Sequence, residues 1–89
     1  MRVHFSKTAD KEFKAWIKSD RATAKKIVEL IEDIKTYGLL DGRGYPEQLK
    51  YYKAPMRYSR RINRVDRLVY SLEGGDIMIL SCKGHYDDK

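Results

Sequence analysis

The apolar residues of this 89-residue chain change their spacing once, near Gly38. Between residues 7 and 37 they recur every three or four positions, as they do along one face of an α-helix. Beyond residue 47, short stretches rich in aromatic and β-branched residues alternate with turn-forming residues, which is typical of strands. Helices and strands that each carry one apolar face must cover one another, so the change of spacing predicts an α+β fold.

The first half predicts a short strand followed by two helices. The strand is RVHF, residues 2–5, and Ser6 is placed to cap a helix over KTADKEFKAWIKS, residues 7–19. Asp20 is placed to cap the second helix, which Gly38 ends.

The second helix is predicted to be amphipathic. Its apolar stripe consists of Ala24, Ile27, Ile31 and Ile34. Its charged residues are expected to face away from the core: Lys25, Lys26, Glu29, Glu32 and Asp33. We interpret the stripe as core packing rather than as a partner groove, because a small domain needs every apolar face it has.

The second half predicts a run of antiparallel strands. The loop DGRGYPE is followed by the segments QLKYYKA, MRYSRRIN, RLVYSL and DIMILSCK. The sequence EGGD predicts a tight hairpin turn, because glycine adopts positive φ without steric cost. The expected fold is therefore β-α-α followed by an antiparallel sheet of about four strands, with two helices packed on one sheet face in a single domain over residues 1–89. The other sheet face is then free to carry functional side chains.

Composition excludes several classes of protein. The chain is 42% hydrophobic and 36% charged, which predicts a soluble globular protein. No apolar run is long enough to span a bilayer, and the first residues lack the apolar core of a signal peptide, so neither a membrane span nor a leader is expected. The single Cys82 lies in an apolar alternation and predicts a buried, inert thiol in a reducing cytoplasm.

The net charge and the few residues that could bind a metal restrict the possible functions further. The net charge of +6 favours an anionic partner, such as nucleic acid or an acidic protein. One cysteine and two histidines without spaced partners exclude a cysteine-rich zinc site, so neither a metal nor a cofactor is expected.

Basic and aromatic residues cluster between positions 50 and 67. Alternation along MRYSRRIN places Arg57 and Arg61 on one face and Arg60 on the other. Cations interleaved with aromatic rings suit RNA, whose phosphates attract charge and whose unpaired bases stack on flat faces. A solvated edge strand, protected from aggregation by its charges, is the alternative interpretation. The cluster consists of Lys50, Tyr51, Tyr52, Lys53, Arg57, Tyr58, Arg60, Arg61, Arg64 and Arg67.

Three residues together meet the requirements of metal-free RNA cleavage. The 2′-hydroxyl of RNA attacks the adjacent phosphate when a base takes its proton, a cation stabilises the phosphate charge, and an acid protonates the leaving 5′-oxygen. Glu47, Arg67 and His85 supply one such group each. Unperturbed glutamate and histidine side chains, with pKa values of about 4.3 and 6.5, suit a base and an acid near neutrality. His4, on the opening strand, is interpreted as a structural or surface residue.

Three motifs in the same order resemble the YoeB (Txe) toxins, part of the wider RelE-type group of toxin–antitoxin endoribonucleases. GYPEQLKYY is similar to the family's G-x-P-E-P-L-K, YSRRINRVDRLVYSL to its W-S-R-R-I…H-R-L-V-Y, and CKGHY to its terminal C-R-x-H-Y. The resemblance includes the opening strand and the helix pair, so it covers nearly the whole chain. It implies a fold similar to that of microbial RNases.

The resemblance also implies a role for each matching residue. The family's general base falls on Glu47, its phosphate-stabilising arginine on Arg67, and its general acid on His85. The implied substrate-binding residues are Lys50, Arg60 and Tyr86.

The same resemblance implies a set of partners. Such toxins cleave mRNA in the ribosomal decoding site without a metal, and a YefM-type antitoxin neutralises them. A homodimer is compatible with the resemblance, and operator DNA would be contacted only through the antitoxin complex. Two alternatives stay open at this point. One is a non-catalytic RNA- or ribosome-binding module, and the other is an antitoxin-bound regulator whose basic surface serves complex formation and operator binding.

Overall fold

A computed structural model describes residues 1–53 and 56–84 of the chain, with the backbone alone at residues 51–53. Its elements are β1 (Val3–Phe5), α1 (Lys7–Ser19), α2 (Arg21–Tyr37), β2 (Glu47–Lys53), β3 (Met56–Arg61), β4 (Arg67–Glu73) and β5 (Asp76–Ser81). The predicted α+β class is confirmed. Among these elements, no helix is both long and apolar enough to cross a membrane.

The described strands form a mixed sheet in the order β1-β5-β4-β3-β2. β2 to β5 are antiparallel neighbours, as the sequence predicted. β1 adds a fifth strand that the prediction of about four did not count, because it pairs in parallel with β5. The Ile77 N–H donates to the Arg2 carbonyl at 2.8 Å, and the Ser6 N–H donates to the Ile79 carbonyl at 2.9 Å.

Both helices begin at their predicted caps. The Ser6 hydroxyl accepts from the Ala9 N–H at 3.0 Å, and the Asp20 carboxylate accepts from the Thr23 N–H at 3.2 Å. α1 covers residues 7–19 as expected, and α2 ends at Tyr37, immediately before Gly38. These caps satisfy backbone donors that a helix leaves unpaired at its start.

One face of the sheet packs against the two helices. Leu68 and Tyr70 of β4 lie at 0% exposure in the same cluster as Ile27 and Leu30 of α2. The Cys82 thiol is buried in this core, as predicted, and burial raises its pKa to about 12. A thiol with so high a pKa is protonated at neutral pH and is inert as a nucleophile. The two helices therefore cover one face of the sheet.

The prediction that Asp33 faces solvent is wrong. Its side chain is buried, at 6% exposure, and its two carboxylate oxygens accept from the Arg43 side chain, both at 3.0 Å. The Arg43 N–H also donates to Asp33, at 2.8 Å. Asp33 therefore ties α2 to the loop that leads into β2. The charge pattern of the helix gave no sign of this partner, which follows 10 residues later.

Asp33 should make the stability of this protein sensitive to acid. Hydrogen bonds from Arg43 lower the pKa of Asp33 from 3.8 to about 2. A carboxyl group with a lower pKa in the folded state stabilises the fold above its unfolded pKa and loses that contribution as pH falls through its folded pKa. We expect the urea midpoint of the wild type to exceed that of Asp33→Asn at pH 5, and the difference to shrink between about pH 4 and pH 2. A difference that stayed constant over this range would contradict the role of the ionised carboxylate.

Candidate active site

Glu47 and Arg67 lie on the sheet face opposite the helices. Glu47 pairs with Ser59, and Ser59 pairs with Val69, so these three side chains share one face. Arg67 lies two residues before Val69 on the same strand and therefore points to the same side. Glu47 and Arg67 are separated by two strand spacings, about 10 Å across the sheet, and by two residues, about 7 Å, along it, which leaves room for a phosphodiester between them.

Glu47 is the first residue of β2 rather than part of a loop. Its side chain is exposed, and so is that of Lys50 on the same strand. The backbone pairing between Glu47 and Ser59 holds the carboxylate at a defined place on the sheet edge. A carboxylate on a strand is positioned more rigidly than one on a mobile loop, which suits an acid–base role.

The Arg67 guanidinium is directed by the turn between β3 and β4. Its Nη1 donates to the Asn63 carbonyl at 3.2 Å and to the Asp66 carbonyl at 3.4 Å. Within the described part of the chain, its Nε and Nη2 have no hydrogen-bond partner. Arg67 is thus oriented by one nitrogen and has donors available for an anion.

The last described residues are fixed beside Arg67. The Arg67 N–H donates to the Gly84 carbonyl at 3.0 Å, and the Gly84 N–H donates to the Asp66 carboxylate at 2.7 Å. Two residues earlier, Cys82 is bound from α1: its N–H donates to Glu12 at 2.8 Å, and its carbonyl accepts from the Trp16 indole at 2.8 Å. Four hydrogen bonds thus direct the chain toward Arg67 just before His85.

His85 and Tyr86 lie outside the described residues, so their roles stay predictions. The structure brings Glu47 and Arg67 onto one sheet face, and it shows Lys50 exposed on β2, three residues beyond Glu47. It also shows residues that sequence reasoning missed, namely Glu12, Trp16 and Asp66. Their side chains bond the backbone at Cys82 and Gly84, and short-range patterns could not reveal these contacts because the partners follow up to 70 residues later.

The prediction that Arg60 holds the RNA backbone is wrong for this conformation. Arg60 is 0% exposed, because its side chain points into the core between α2 and the sheet. Its guanidinium donates to the carbonyls of Gly38, Asp41 and Arg43 at 2.6 to 2.9 Å. These contacts fix the loop that leads from α2 to Glu47.

Tyr70 completes this buried network. Its hydroxyl accepts from Arg60 Nε at 3.0 Å and donates to the Leu39 carbonyl at 2.6 Å. Burial raises the pKa of Tyr70, which keeps the hydroxyl protonated and able to donate. Arg60 and Tyr70 therefore hold the loop that leads to Glu47.

Tyr58 also differs from its predicted role as a stacking surface for RNA. Its ring stacks on Tyr70 on the helix-facing side, with centroids 5.7 Å apart. The predicted division of Arg57, Arg60 and Arg61 between two faces is confirmed by the register of β3 and β4. Alternation thus separates residues that the sequence places in one basic cluster.

Within residues 1–53 and 56–84, no group of three or more histidine, cysteine, aspartate or glutamate residues is arranged to hold a metal ion. His4, the histidine that is described, lies 3.2 Å from Asp76 at the exposed end of β1 and β5. By register with Met78 and Ser71 it lies on the same sheet face as Arg67, but two strands away from β4 and four residues from Arg67 along the strand direction.

Comparison with known proteins identifies the family. A model of the YoeB-like toxin of bacterial type II toxin–antitoxin systems matches residues 5–86. The chain is 34% identical to Toxin YoeB of Escherichia coli K12, over 97% of this chain and 100% of that protein. It is 42% identical to the chain in the structure of a YoeB dimer from Staphylococcus aureus, with a TM-score of 0.88 and coverage of 97% and 98%. A heterotetrameric YoeB–YefM toxin–antitoxin complex from Staphylococcus aureus matches at 42% identity over 97% of this chain and 98% of that chain, with a TM-score of 0.85. This chain belongs to the YoeB family of toxins of bacterial type II toxin–antitoxin systems.

Proposed function

We propose that this toxin is a ribosome-dependent mRNA endonuclease that works without a metal. The observation that carries the proposal is the hydrogen bond between the Arg67 N–H and the Gly84 carbonyl, at 3.0 Å. It ties the residue before His85 to the strand that carries Arg67, on the face that also carries Glu47. This arrangement supports a site in which Glu47 is the base, Arg67 the phosphate-binding cation and His85 the acid.

The proposed reaction is an attack of the RNA on itself. Glu47 takes the proton of the 2′-hydroxyl, and the 2′-oxygen forms a bond to the adjacent phosphorus. Arg67 stabilises the negative charge on the phosphate oxygens while the bond from phosphorus to the 5′-oxygen breaks. His85 donates a proton to the departing 5′-oxygen. The products are a 2′,3′-cyclic phosphate and a 5′-hydroxyl end.

The remaining residues of the proposed site bind substrate. Lys50 is exposed on β2, three residues beyond Glu47, where its ammonium group can contact the RNA backbone. Tyr86 is proposed to orient the substrate next to His85. Arg60 is not part of this set, since its donors are committed to the loop carbonyls.

We also propose the partners that follow from the family. Staphylococcus aureus YoeB is found in a complex with YefM and as a dimer. By analogy, a YefM-type antitoxin would neutralise this toxin, and operator DNA would be contacted only through that complex. A homodimer and a cytoplasmic location, where ribosomes and mRNA are present, complete the proposal.

The test is to compare cleavage of one transcript free in solution and on translating ribosomes. We expect cleavage on the ribosome and little on the free transcript, because the small toxin offers little surface for holding a flexible message by itself. Mapping of the mRNA ends should show 5′-hydroxyl groups, and EDTA should not abolish cleavage beyond its effect on ribosome integrity. Equal rates on both forms of the transcript would contradict ribosome dependence. Ribosome binding without any new ends would favour a non-catalytic RNA-binding module.

A further inference from the structure

A second basic site adjoins the candidate active site. Two residues before Glu47, Tyr45 lies at the border of a cleft of about 290 Å³. Lys26 of α2, Arg61 of β3 and Arg64 of the following turn line the same cleft. A neighbouring cleft of about 390 Å³ shares Lys26 and Tyr45 with it. Neither cleft is lined by an acidic residue among those the structure describes.

Among the described residues, no carboxylate neutralises the cations of this cleft. Lys26, Arg61 and Arg64 have no carboxylate within 4.0 Å in the described ranges, whereas Arg43 nearby is paired with Asp33 at 3.0 Å. Three unpaired cations around one opening favour an anion with more than one charge. The Arg43 charge, by contrast, is already paired with Asp33.

Tyr45 presents an aromatic face at the opening of the cleft. Its side chain is 78% exposed, which is unusual for a large ring that packing alone would bury. The Arg61 guanidinium lies over one face of the ring, 5.0 Å from its centroid, and leaves the other face open. A ring supported by a cation on one side can stack a flat group on the other.

The backbone at Tyr45 is strained in a way that maintains this exposure. Its φ is +50°, a left-handed value that bulky residues rarely adopt. The conformation is held by the Arg61 N–H, which donates to the Gly44 carbonyl at 2.6 Å. At Gly44 itself, a Cβ would lie 3.0 Å from Leu30 and Arg60, so the loop is packed tightly against the core. Strain that the surroundings maintain is commonly found at binding sites.

We propose that this cleft binds a nucleotide of RNA, with an unpaired base stacked on Tyr45 and its phosphates held by Lys26, Arg61 and Arg64. The combination of a free aromatic face with three unpaired cations favours RNA over an acidic peptide, which would need the charges but not the ring. Arg61 pairs with Arg67 across β3 and β4, so the cleft adjoins the proposed cleavage site. The proposal rests on the proposed ribonuclease function for the identity of its ligand.

The RNA can come from the message or from the ribosome, and binding measurements distinguish these sources. One arm uses a short single-stranded RNA with 2′-O-methyl groups, which cannot be cleaved because its nucleophile is blocked. The other arm uses vacant ribosomes that carry no message. Both arms measure affinity rather than cleavage, so they stay informative if the protein proves not to be a nuclease. Failure of the catalytic proposal would be seen separately, in the cleavage assay with Glu47→Gln.

The variants separate stacking from charge. Tyr45→Asn removes the ring but tolerates the left-handed backbone, and it should weaken binding by about tenfold. Tyr45→Phe keeps the ring and should bind like the wild type. Lys26→Gln and Arg61→Gln should each weaken binding and reduce the slope of log affinity against log salt by about 0.7. Lys18→Gln, which removes an exposed charge from α1, is the matched control.

Weaker binding of the blocked RNA assigns the cleft to the message strand, and weaker binding of vacant ribosomes alone assigns it to ribosomal RNA; both support an RNA site. If Tyr45→Asn and Arg61→Gln match Lys18→Gln in both arms, the proposal is overturned. It is also overturned if these variants weaken only the binding of an antitoxin, since the cleft would then serve a protein partner.

Discussion

Glu47→Gln should lower the single-turnover rate of mRNA cleavage on programmed ribosomes by roughly 10²-fold or more. Glutamine keeps the shape of the side chain but cannot take the 2′-hydroxyl proton. The side chain is exposed at the start of β2, so the substitution removes no core contact. Unfolding midpoint and ribosome affinity should therefore stay close to those of the wild type.

The matched control is Glu32→Gln, which removes a carboxylate from the exposed side of α2, where the side chain is 61% accessible. It should cleave like the wild type. Arg67→Ala and His85→Gln should each cause a loss comparable to that of Glu47→Gln, because the charge on the phosphate and the departing 5′-oxygen then lack their partners. If the three groups act in one step, double variants should lose less than the product of the single losses. Wild-type cleavage by Glu47→Gln would exclude this carboxylate as the general base.

How much of the fold the sequence predicted depends on how far apart along the chain the interacting residues lie. Helix caps at Ser6 and Asp20 depend on residues three positions away, and they were predicted correctly. The parallel pairing of β1 with β5 joins residues more than 70 positions apart, and local patterns do not encode it. The helical half and the stranded half were therefore predictable, whereas the place of β1 was not.

The candidate site shows the same limit for charged residues. Arg60 and Asp33 look like surface residues in the sequence, because charged side chains are rarely buried. Both are buried here because partners from the loop between α2 and β2 satisfy them. Strand alternation predicted the face of Arg60 correctly. It could not show that loop carbonyls on that face accept hydrogen bonds from the Arg60 guanidinium. Glu47 and Arg67 were easier to recognise, since their motifs are contiguous and their side of the sheet follows from register.

Arg60→Met should destabilise the protein by roughly 3 kcal/mol or more. Methionine fills much of the volume but leaves the carbonyls of Gly38 and Arg43 and the Tyr70 hydroxyl without a donor. Each buried polar group left unpaired costs about 1–3 kcal/mol, and relief from burying the arginine charge offsets part of the sum. The measurement is urea unfolding at neutral pH.

Arg61→Met on the same strand is the comparison that isolates the effect of the buried network. Arg61 is exposed, and the contact of its side chain within the described ranges is with the Tyr45 ring, so its loss should cost about 1 kcal/mol or less. Arg60→Met should also reduce cleavage at temperatures where it remains folded, because the freed loop no longer holds Glu47 in place. Rescue of stability by Arg60→Lys would be partial, since an ammonium lacks the planar fork that reaches several carbonyls at once. Equal unfolding midpoints for Arg60→Met and Arg61→Met would mean that the loop is held by Asp33 and Arg43 alone.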